Sequence, residues 1–168
     1  MRFFRKAQSP PPPRAGQALH DAVVEIETRR PATERQRAFI ISLAKATGTD
    51  LSDVLPQHAT IRDASRAIDE LSTRVPPTDK QREYVASLTS ELDVEARLPA
   101  DATWGSCSRL IDELVDRHPA SEAQTAYLER LCVELGIALV PGEIAGIGKS
   151  TASKYIDALV IERDLEAR

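Results

Sequence analysis

Apolar residues recur at helical spacing in three stretches of the chain, and each stretch begins with the same polar residues. The shared pattern is Ser or Thr, Asp or Glu, any residue, Gln, two further residues, Phe or Tyr, an aliphatic residue, two further residues, and Leu. The three copies begin at Thr33, Thr78 and Ser121, each shortly after a proline. Their apolar positions fall at i, i+1 and i+4, so each copy predicts one amphipathic helix.

The polar residues of this pattern predict where the three helices start. A Ser or Thr followed three residues later by Gln forms a capping box, in which hydroxyl and amide side chains satisfy free backbone N–H groups. The acidic residue after the cap complements the helix dipole. The recurring glutamines Gln36, Gln81 and Gln124 could also bind a ligand, but their spacing favours the capping role.

A second pattern, small residue–Ser–Arg/Lys–x–Ile–Asp–x–Leu, predicts a further helix after each of the first three. The copies begin at Ala64, Cys107 and Ala152. The cysteine therefore stands where two alanines stand, which indicates a small core residue. We expect Ile68, Ile111 and Ile156 to be buried against the aromatic residues of the first helices. The basic residue and the aspartate three positions later predict a surface ion pair in each copy.

The two helices of each unit are joined by a connection that contains an aliphatic residue followed by proline. These pairs are Leu55–Pro56, Leu98–Pro99 and Val140–Pro141. A residue before proline avoids helical geometry, so we expect an extended connection anchored by the aliphatic residue. The connections differ in length whereas the turns between units do not, and we therefore expect unit-specific function on the connections.

These patterns predict an all-α fold built from tandem helix–extended loop–helix repeats, with three units and an N-terminal half unit. Leu19, Val23 and Ile26 match the second pattern without a preceding helix, which defines the half unit. We expect it to cover an exposed face of the first unit, as the end elements of solenoids do. The predicted boundaries are 1–17 for a basic, proline-rich disordered tail, 18–30 for the half-repeat helix, 31–75, 76–118, and 119–168 with a C-terminal helix extension.

Composition narrows the class of protein. The 168 residues carry a net charge of −4 with a pI near 5.5, which argues against indiscriminate coating of nucleic acid. Aromatic residues make up 4%, too few for a base-stacking platform. The two cysteines lack metal-like spacing and suit a reducing compartment. The chain shows neither a membrane-length apolar run nor a signal-peptide core. We therefore expect a cytoplasmic protein without membrane contact.

The sequence shows no catalytic constellation. His20, His58 and His118 lie at different repeat phases without a spaced carboxylate or cysteine partner, so we expect no enzyme, no metal and no cofactor. The glycine-rich stretch 142–151 has glutamate at position 143, where a phosphate-binding loop requires glycine. A weak anion site formed by the backbone at Gly148, Lys149 and Ser150 stays open.

Basic residues at predicted helix starts in units one and two suggest one kind of partner. A row of such cations could contact a phosphate backbone. The candidate nucleic-acid-binding residues are Arg35, Arg37, Arg66, Lys80, Arg82 and Arg109. Because unit three lacks this row and is acidic, we favour a non-catalytic interaction or structural adaptor that binds a protein partner. Nucleic-acid binding is the alternative, and the oligomeric state stays open.

The two patterns together resemble a small helix–loop–helix module of unknown function found in phage and actinobacterial proteins. The resemblance covers roughly residues 31–160 in three tandem copies. That module occurs alone or as an appendage on DNA-processing proteins. The resemblance is in keeping with a phage or mobile-element gene and implies no activity.

Overall fold

The computed structural model describes residues 17–139 and 142–167 of the chain. The predictions for tail residues 1–16, and for Val140–Pro141, lie outside these ranges. Within them the secondary structure is helical, apart from turns and two isolated β-bridges, and the predicted all-α class is confirmed. The eight described helices are α1 (Gln17–Arg29), α2 (Glu34–Thr47), α3 (Leu51–Val54), α4 (Ile61–Ser72), α5 (Asp79–Glu91), α6 (Trp104–Val115), α7 (Glu122–Glu134) and α8 (Lys149–Glu166).

The three predicted capping boxes start α2, α5 and α7. The hydroxyls of Thr33, Thr78 and Ser121 accept from the backbone N–H of the glutamine three residues later at 3.1–3.2 Å. Each glutamine Oε1 accepts in return from the N-cap N–H at 3.0 Å. Both halves of the motif are therefore formed in all three helices, and the predicted helix starts are confirmed.

Six of the helices pack as three pairs, which we call pair one (α2 and α4), pair two (α5 and α6) and pair three (α7 and α8). The capping glutamine also joins the two helices of its pair. Its Nε2 donates to the serine of the second pattern at 3.4 Å in pair one, 2.9 Å in pair two and 3.0 Å in pair three. The two helices of a pair therefore start at the same end. This contact gives the repeated glutamine and the repeated serine a common structural role.

Backbone hydrogen bonds tie the segment before each pair to the start of its second helix. In pair one, Ala32 N donates to Ala59 O at 2.8 Å and Ile61 N donates to Arg30 O at 2.9 Å. Pair three forms the same two bonds, whereas pair two forms only the second, from Trp104 N to Val75 O at 2.7 Å. Pro77 occupies the position of Ala32 and has no N–H to donate, which explains the missing bond.

The most deeply buried positions of the second pattern are its first residue and its last leucine. Ala64, Cys107 and Ala152, like Leu71, Leu114 and Leu159, are at most 1% exposed. The predicted core role of Cys107 is confirmed. The three isoleucines pack against the cores of their pairs but are only half-buried, so the expectation that they are buried is wrong. They lie at the flank of the buried face because the leucine three residues later occupies its centre.

Four helices contact one another in a closed ring. Helix α1 contacts both α4 and α8, α4 contacts α6, and α6 contacts α8. The first helices of the three pairs, α2, α5 and α7, each pack on their own ring partner. The ring brings the N-terminal helix of the described chain against its C-terminal helix.

The half-unit helix α1 belongs to the core of pair three. Leu19, Val23 and Ile26 are buried in one apolar cluster with residues of α7 and α8. Helix α1 also contacts α4, as expected for a half unit that covers a face of the first unit. The sequence did not predict that its buried residues belong to the core of pair three.

The 18-residue helix α8 supplies the groups that hold α1, because it extends beyond the length of the 12-residue α4 and α6. Glu162 on this extension is 4% exposed, and its Oε1 accepts from Arg30 Nη2 at 2.8 Å. The bond from Arg30, with a further contribution from Arg29, holds the pKa of Glu162 below its usual value. At the other end of α1, the Leu19 N–H donates to the buried carboxylate of Glu143 at 2.8 Å.

Candidate interaction surface

The shared start of each helix pair determines where four of the six candidate cations lie. Arg35 and Arg37 lie in the first turn of α2, and Lys80 and Arg82 in the first turn of α5. Arg66 and Arg109 are each the sixth residue of the 12-residue helices α4 and α6. Helix α4 separates the two first turns, because it begins at the start of pair one and leads into the start of pair two. Its 12 residues correspond to roughly 18 Å at 1.5 Å per residue. The six cations are therefore divided between pairs one and two, three in each.

Two of the six cations are engaged within the protein. Arg37 Nη2 donates to Gln57 O at 3.1 Å and to Ala59 O at 3.4 Å. Arg66 lies 3.6 Å from a carboxylate oxygen of Asp63. The predicted ion pair with the aspartate three residues later is thus wrong for Arg66, whose partner lies three residues earlier. The pattern is also broken in pair three, where Lys154 contacts Asp112 of α6 at 2.6 Å.

The remaining four cations face solvent. Arg35, Lys80, Arg82 and Arg109 are exposed and form no ion pair with any residue of 17–139 or 142–167. Arg35 lies in α2 of pair one, whereas Lys80, Arg82 and Arg109 lie in α5 and α6 of pair two. Their charges are available to a partner, and three of the four belong to pair two.

The weak anion site predicted at Gly148, Lys149 and Ser150 faces a carboxylate of the protein itself. Asp116, just beyond α6, accepts from the Thr151 backbone N–H at 2.9 Å and from the Thr151 hydroxyl at 2.6 Å. A Cβ at position 148 would lie 2.4 Å from Asp116 Oδ1, which explains the glycine. Burial opposes the charge of Asp116, but the hydrogen bonds from Thr151 outweigh it and lower its pKa. We interpret this helix N-terminus as a joint between α6 and α8.

An open groove of about 600 Å³ lies between α5 and the connection that follows it. Its α5 wall consists of Arg82, Val85, Ala86 and Thr89, and residues 94–98 form the other wall. Along 94–98 the apolar residues are half-buried and alternate with the exposed Glu95 and Arg97. This period of two is the pattern of an extended segment with one apolar face.

The groove exists because the connections of the three pairs are packed differently. Connection one, residues 48–60, contains the short helix α3 and buries Leu55 and Ala59. The described part of connection three, 135–139 and 142–148, buries Glu143 and Ile144. In connection two, 92–103, no residue from 93 to 101 is buried. The predicted anchoring role is confirmed for Leu55, whereas Leu98 is only half-buried.

A second concave surface, of about 700 Å³, lies where α8 approaches the start of pair one. Arg35 and Lys154 line it together with Glu27 and Asp157, so its charges are mixed. Ile61 and Ala158 contribute apolar area. This surface is a product of ring closure and carries no excess of either charge.

The titratable side chains of the described residues form no cluster of the kind that holds a metal ion. No cluster of three or more His, Cys, Asp or Glu in the described ranges could hold a metal ion. His20 contacts the Tyr155 hydroxyl at 3.2 Å. Both cysteines are buried and form no disulfide; burial raises the pKa of Cys132 to about 11 and also raises that of Cys107. Their thiols are thus protonated and inaccessible at neutral pH.

Among the described helices, none is both long and apolar enough to cross a membrane.

Comparison with known proteins returns no relative: the chain matches no protein-family model, no curated protein and no solved structure. The resemblance to the helix–loop–helix module of phage and actinobacterial proteins therefore stays a prediction.

The groove residues on connection two were missed as candidates by sequence reasoning. The alternation Val94-Glu95-Ala96-Arg97-Leu98 is visible in the sequence and could have identified a half-buried extended segment. Of the groove residues, only Arg82 belongs to the candidates predicted from sequence.

Proposed function

We propose that this protein is a non-catalytic interaction adaptor that binds a protein partner through the groove between α5 and residues 94–98. The observation that carries the proposal is the open second connection. The other two connections bury residues along their length. In connection two, the apolar residues of 94–98 pack on the core of pair two only half-buried and line a groove of mixed apolar and charged residues that is open to solvent. Variable loops on a regular scaffold are a common place for binding sites.

The closed ring of helices suits a scaffold of this kind. The ring holds α5 and α6 through contacts of α6 with both α4 and α8. Connection two therefore joins two helices, α5 and α6, that are held in place by the rest of the ring. A preorganised framework loses less conformational entropy when a partner binds.

The distribution of cations supports a protein partner over nucleic acid. A duplex-binding surface concentrates basic residues on one face. Here the six candidates are divided between pairs one and two, and Arg37 and Arg66 already contact groups of the protein. The net charge of −4 gives no general attraction to phosphate.

The proposal can be tested with one substitution inside the groove and one outside it. Ala86→Arg fills the groove from an exposed position on α5, and arginine is a good helix former. Ala126→Arg makes the same change at an exposed position on α7 and serves as the control. Tagged full-length wild type and both variants are expressed in cells of the source organism, treated with nuclease, and purified with their bound proteins.

We expect wild type and Ala126→Arg to retain a common protein that Ala86→Arg loses, as measured by quantitative mass spectrometry. The wild-type protein is also passed over immobilised DNA at about 50 mM salt, where phosphate contacts are strong. Salt-dependent retention that is lost on neutralising Lys80 and Arg82 would overturn the proposal in favour of nucleic-acid binding. A bound protein that the Ala86→Arg variant retains would show that the interaction lies elsewhere on the surface.

A further inference from the structure

The partner chemistry of the groove can be argued from one position of the repeated helix. Arg37 in α2 and Arg82 in α5 both follow their capping glutamine by one residue. Arg37 reaches across to connection one and donates to the carbonyl oxygens of Gln57 and Ala59. Connection two offers Arg82 no such acceptor, since Arg82 donates to no residue of the described ranges and lines the open groove instead.

The connection itself also has free backbone groups beside Arg82. Val94 N donates to Thr89 O at 3.0 Å, and Ala96 N donates to Val94 O at 3.1 Å. The N–H groups of Glu95, Arg97 and Leu98 donate to no acceptor in the part of the chain that the structure describes. The bond from Ala96 N to Val94 O closes a three-residue turn at Glu95. The free N–H groups of Arg97 and Leu98, beyond this turn, are the ones that a second extended segment could pair with.

The side chains of the groove define what such a segment would carry. Val85 is 3% exposed and forms an apolar wall with Ala86, opposite the half-buried Val94 and Leu98. Arg82 and Arg97 outnumber the single acidic lining residue, Glu95. The apolar wall favours aliphatic side chains, and the two guanidinium groups favour carboxylates, which arginine binds through paired hydrogen bonds.

We propose that the groove binds an extended segment of a partner protein in which aliphatic and acidic residues alternate. The aliphatic side chains pack between Val85 and Leu98. A carboxylate of the segment accepts hydrogen bonds from Arg82, as the carbonyl oxygens of connection one do from Arg37. The backbone of the segment pairs with the free N–H groups of Arg97 and Leu98. This inference rests on the proposed function, since it specifies the chemistry of the protein partner at the same groove.

The probe for this inference is a peptide of defined sequence, acetyl-Gly-Glu-Leu-Glu-Leu-Glu-Gly-amide. Two matched peptides replace either the glutamates with lysines or the leucines with serines. Each is titrated into the full-length, ¹⁵N-labelled protein at neutral pH, and the backbone amide shifts are followed. We expect the Glu-Leu peptide to shift the amides of Val85, Ala86 and residues 94–98, and each matched peptide to bind more weakly.

Arg82→Gln removes the guanidinium and keeps a side chain that α5 accommodates. Loss of a charge-assisted hydrogen bond predicts about a tenfold loss of peptide affinity. Arg35→Gln, which removes an equally unpaired arginine outside the groove, should leave the affinity unchanged. Amide shifts that are absent from 94–98, or an affinity that Arg82→Gln does not reduce, would overturn the inference.

A second titration uses a single-stranded oligothymidylate, which tests a phosphate backbone as the occupant. Stronger shifts of the same amides with this probe would overturn the peptide inference. The outcome is separable from that of the proposed function. If the acidic peptide does not bind but a cellular protein still depends on Ala86, the partner chemistry is wrong and the adaptor function stands. If the peptide binds and no cellular protein depends on Ala86, the partner chemistry stands and the proposed adaptor function is wrong.

Discussion

Pairs one and two differ most in how their connections use the same arginine. In pair one the connection turns through α3, buries Leu55 and Ala59, and gives Arg37 two carbonyl acceptors. In pair two the connection forms no helix and buries no residue from 93 to 101, and Arg82 is left facing an open groove. The helices around the two arginines are otherwise capped and joined in the same way. The same arginine of the repeat therefore has a structural role in pair one and a free side chain in pair two, depending on the connection that faces it.

The comparison first requires that the two pairs share the same core. Leu71 and Leu114 occupy the same position of the second helix and are 0% and 1% exposed. Replacing either with alanine should lower the free energy of unfolding by about 2–5 kcal/mol, through lost burial and a cavity. Urea denaturation followed by circular dichroism measures both. If one variant lost less than about half as much free energy of unfolding as the other, the two pairs would differ in their cores as well.

The connections should differ when their anchors are truncated. Leu55 is buried in the core of pair one, whereas Leu98 is half-buried beside the groove. We expect Leu55→Ala to cost about 2 kcal/mol or more and Leu98→Ala about 1 kcal/mol or less. The same denaturation experiment compares them. Equal costs would mean that connection two is anchored as firmly as connection one, and the contrast between the connections would fail.

The glutamine that joins the helices provides a smaller test. Alanine at the position of the serine removes the acceptor of the glutamine Nε2 and leaves the capping box intact. Ser108→Ala loses a 2.9 Å bond from Gln81 and should cost about 1 kcal/mol. Ser65→Ala loses only a 3.4 Å contact from Gln36 and should cost less. Thermal melts of the two variants give the order, and a larger loss for Ser65→Ala would contradict the geometry.

Acid should distinguish the second helices of the two pairs. Asp63 completes the capping box of α4, and the Thr60 N–H that it accepts from holds its pKa below the usual value. A lowered folded pKa adds stability above the unfolded pKa, near 4, and that stability is lost as the pH falls through the folded pKa. Ser106 takes this place in α6 and does not titrate.

We therefore expect the first turn of α4 to fray in acid before that of α6, as measured by amide hydrogen exchange between neutral pH and roughly pH 3. Asp63→Asn removes the titrating carboxyl and should abolish the difference. Fraying of both helices at the same pH in the wild type would contradict the assignment of the cap.

The features that sequence predicts well here are local in the chain. The capping boxes at Thr33, Thr78 and Ser121 depend on residues three positions apart, and their spacing is sufficient to locate the helix starts. The short helix α3 was missed although its N-cap, Asp50, accepts from Ser52 within the same turn. That omission was avoidable, since the cap is visible in the sequence.

Ring closure could not be predicted in the same way. Its ion pair joins Arg30 to Glu162 across 132 positions, and neither residue belongs to a repeated pattern. The groove lies between these cases. Residues 94–98 alternate visibly, but only the fold shows that they leave Arg82 without an acceptor. Whether a loop closes over a helix depends on side chains that pack from both, which periodicity along one segment does not report.

The most direct test of the difference between the connections is the cost of removing each arginine. Arg37→Gln and Arg82→Gln are made in the full-length protein, and the free energy of unfolding is measured by urea denaturation. Arg37→Gln should lower it by about 1 kcal/mol, because two carbonyl acceptors in connection one lose their donor. Arg82→Gln should change it by less than about 0.5 kcal/mol, as expected for an exposed side chain without a partner. An equal or larger loss for Arg82→Gln would show that connection two already satisfies this arginine, and would contradict the open groove.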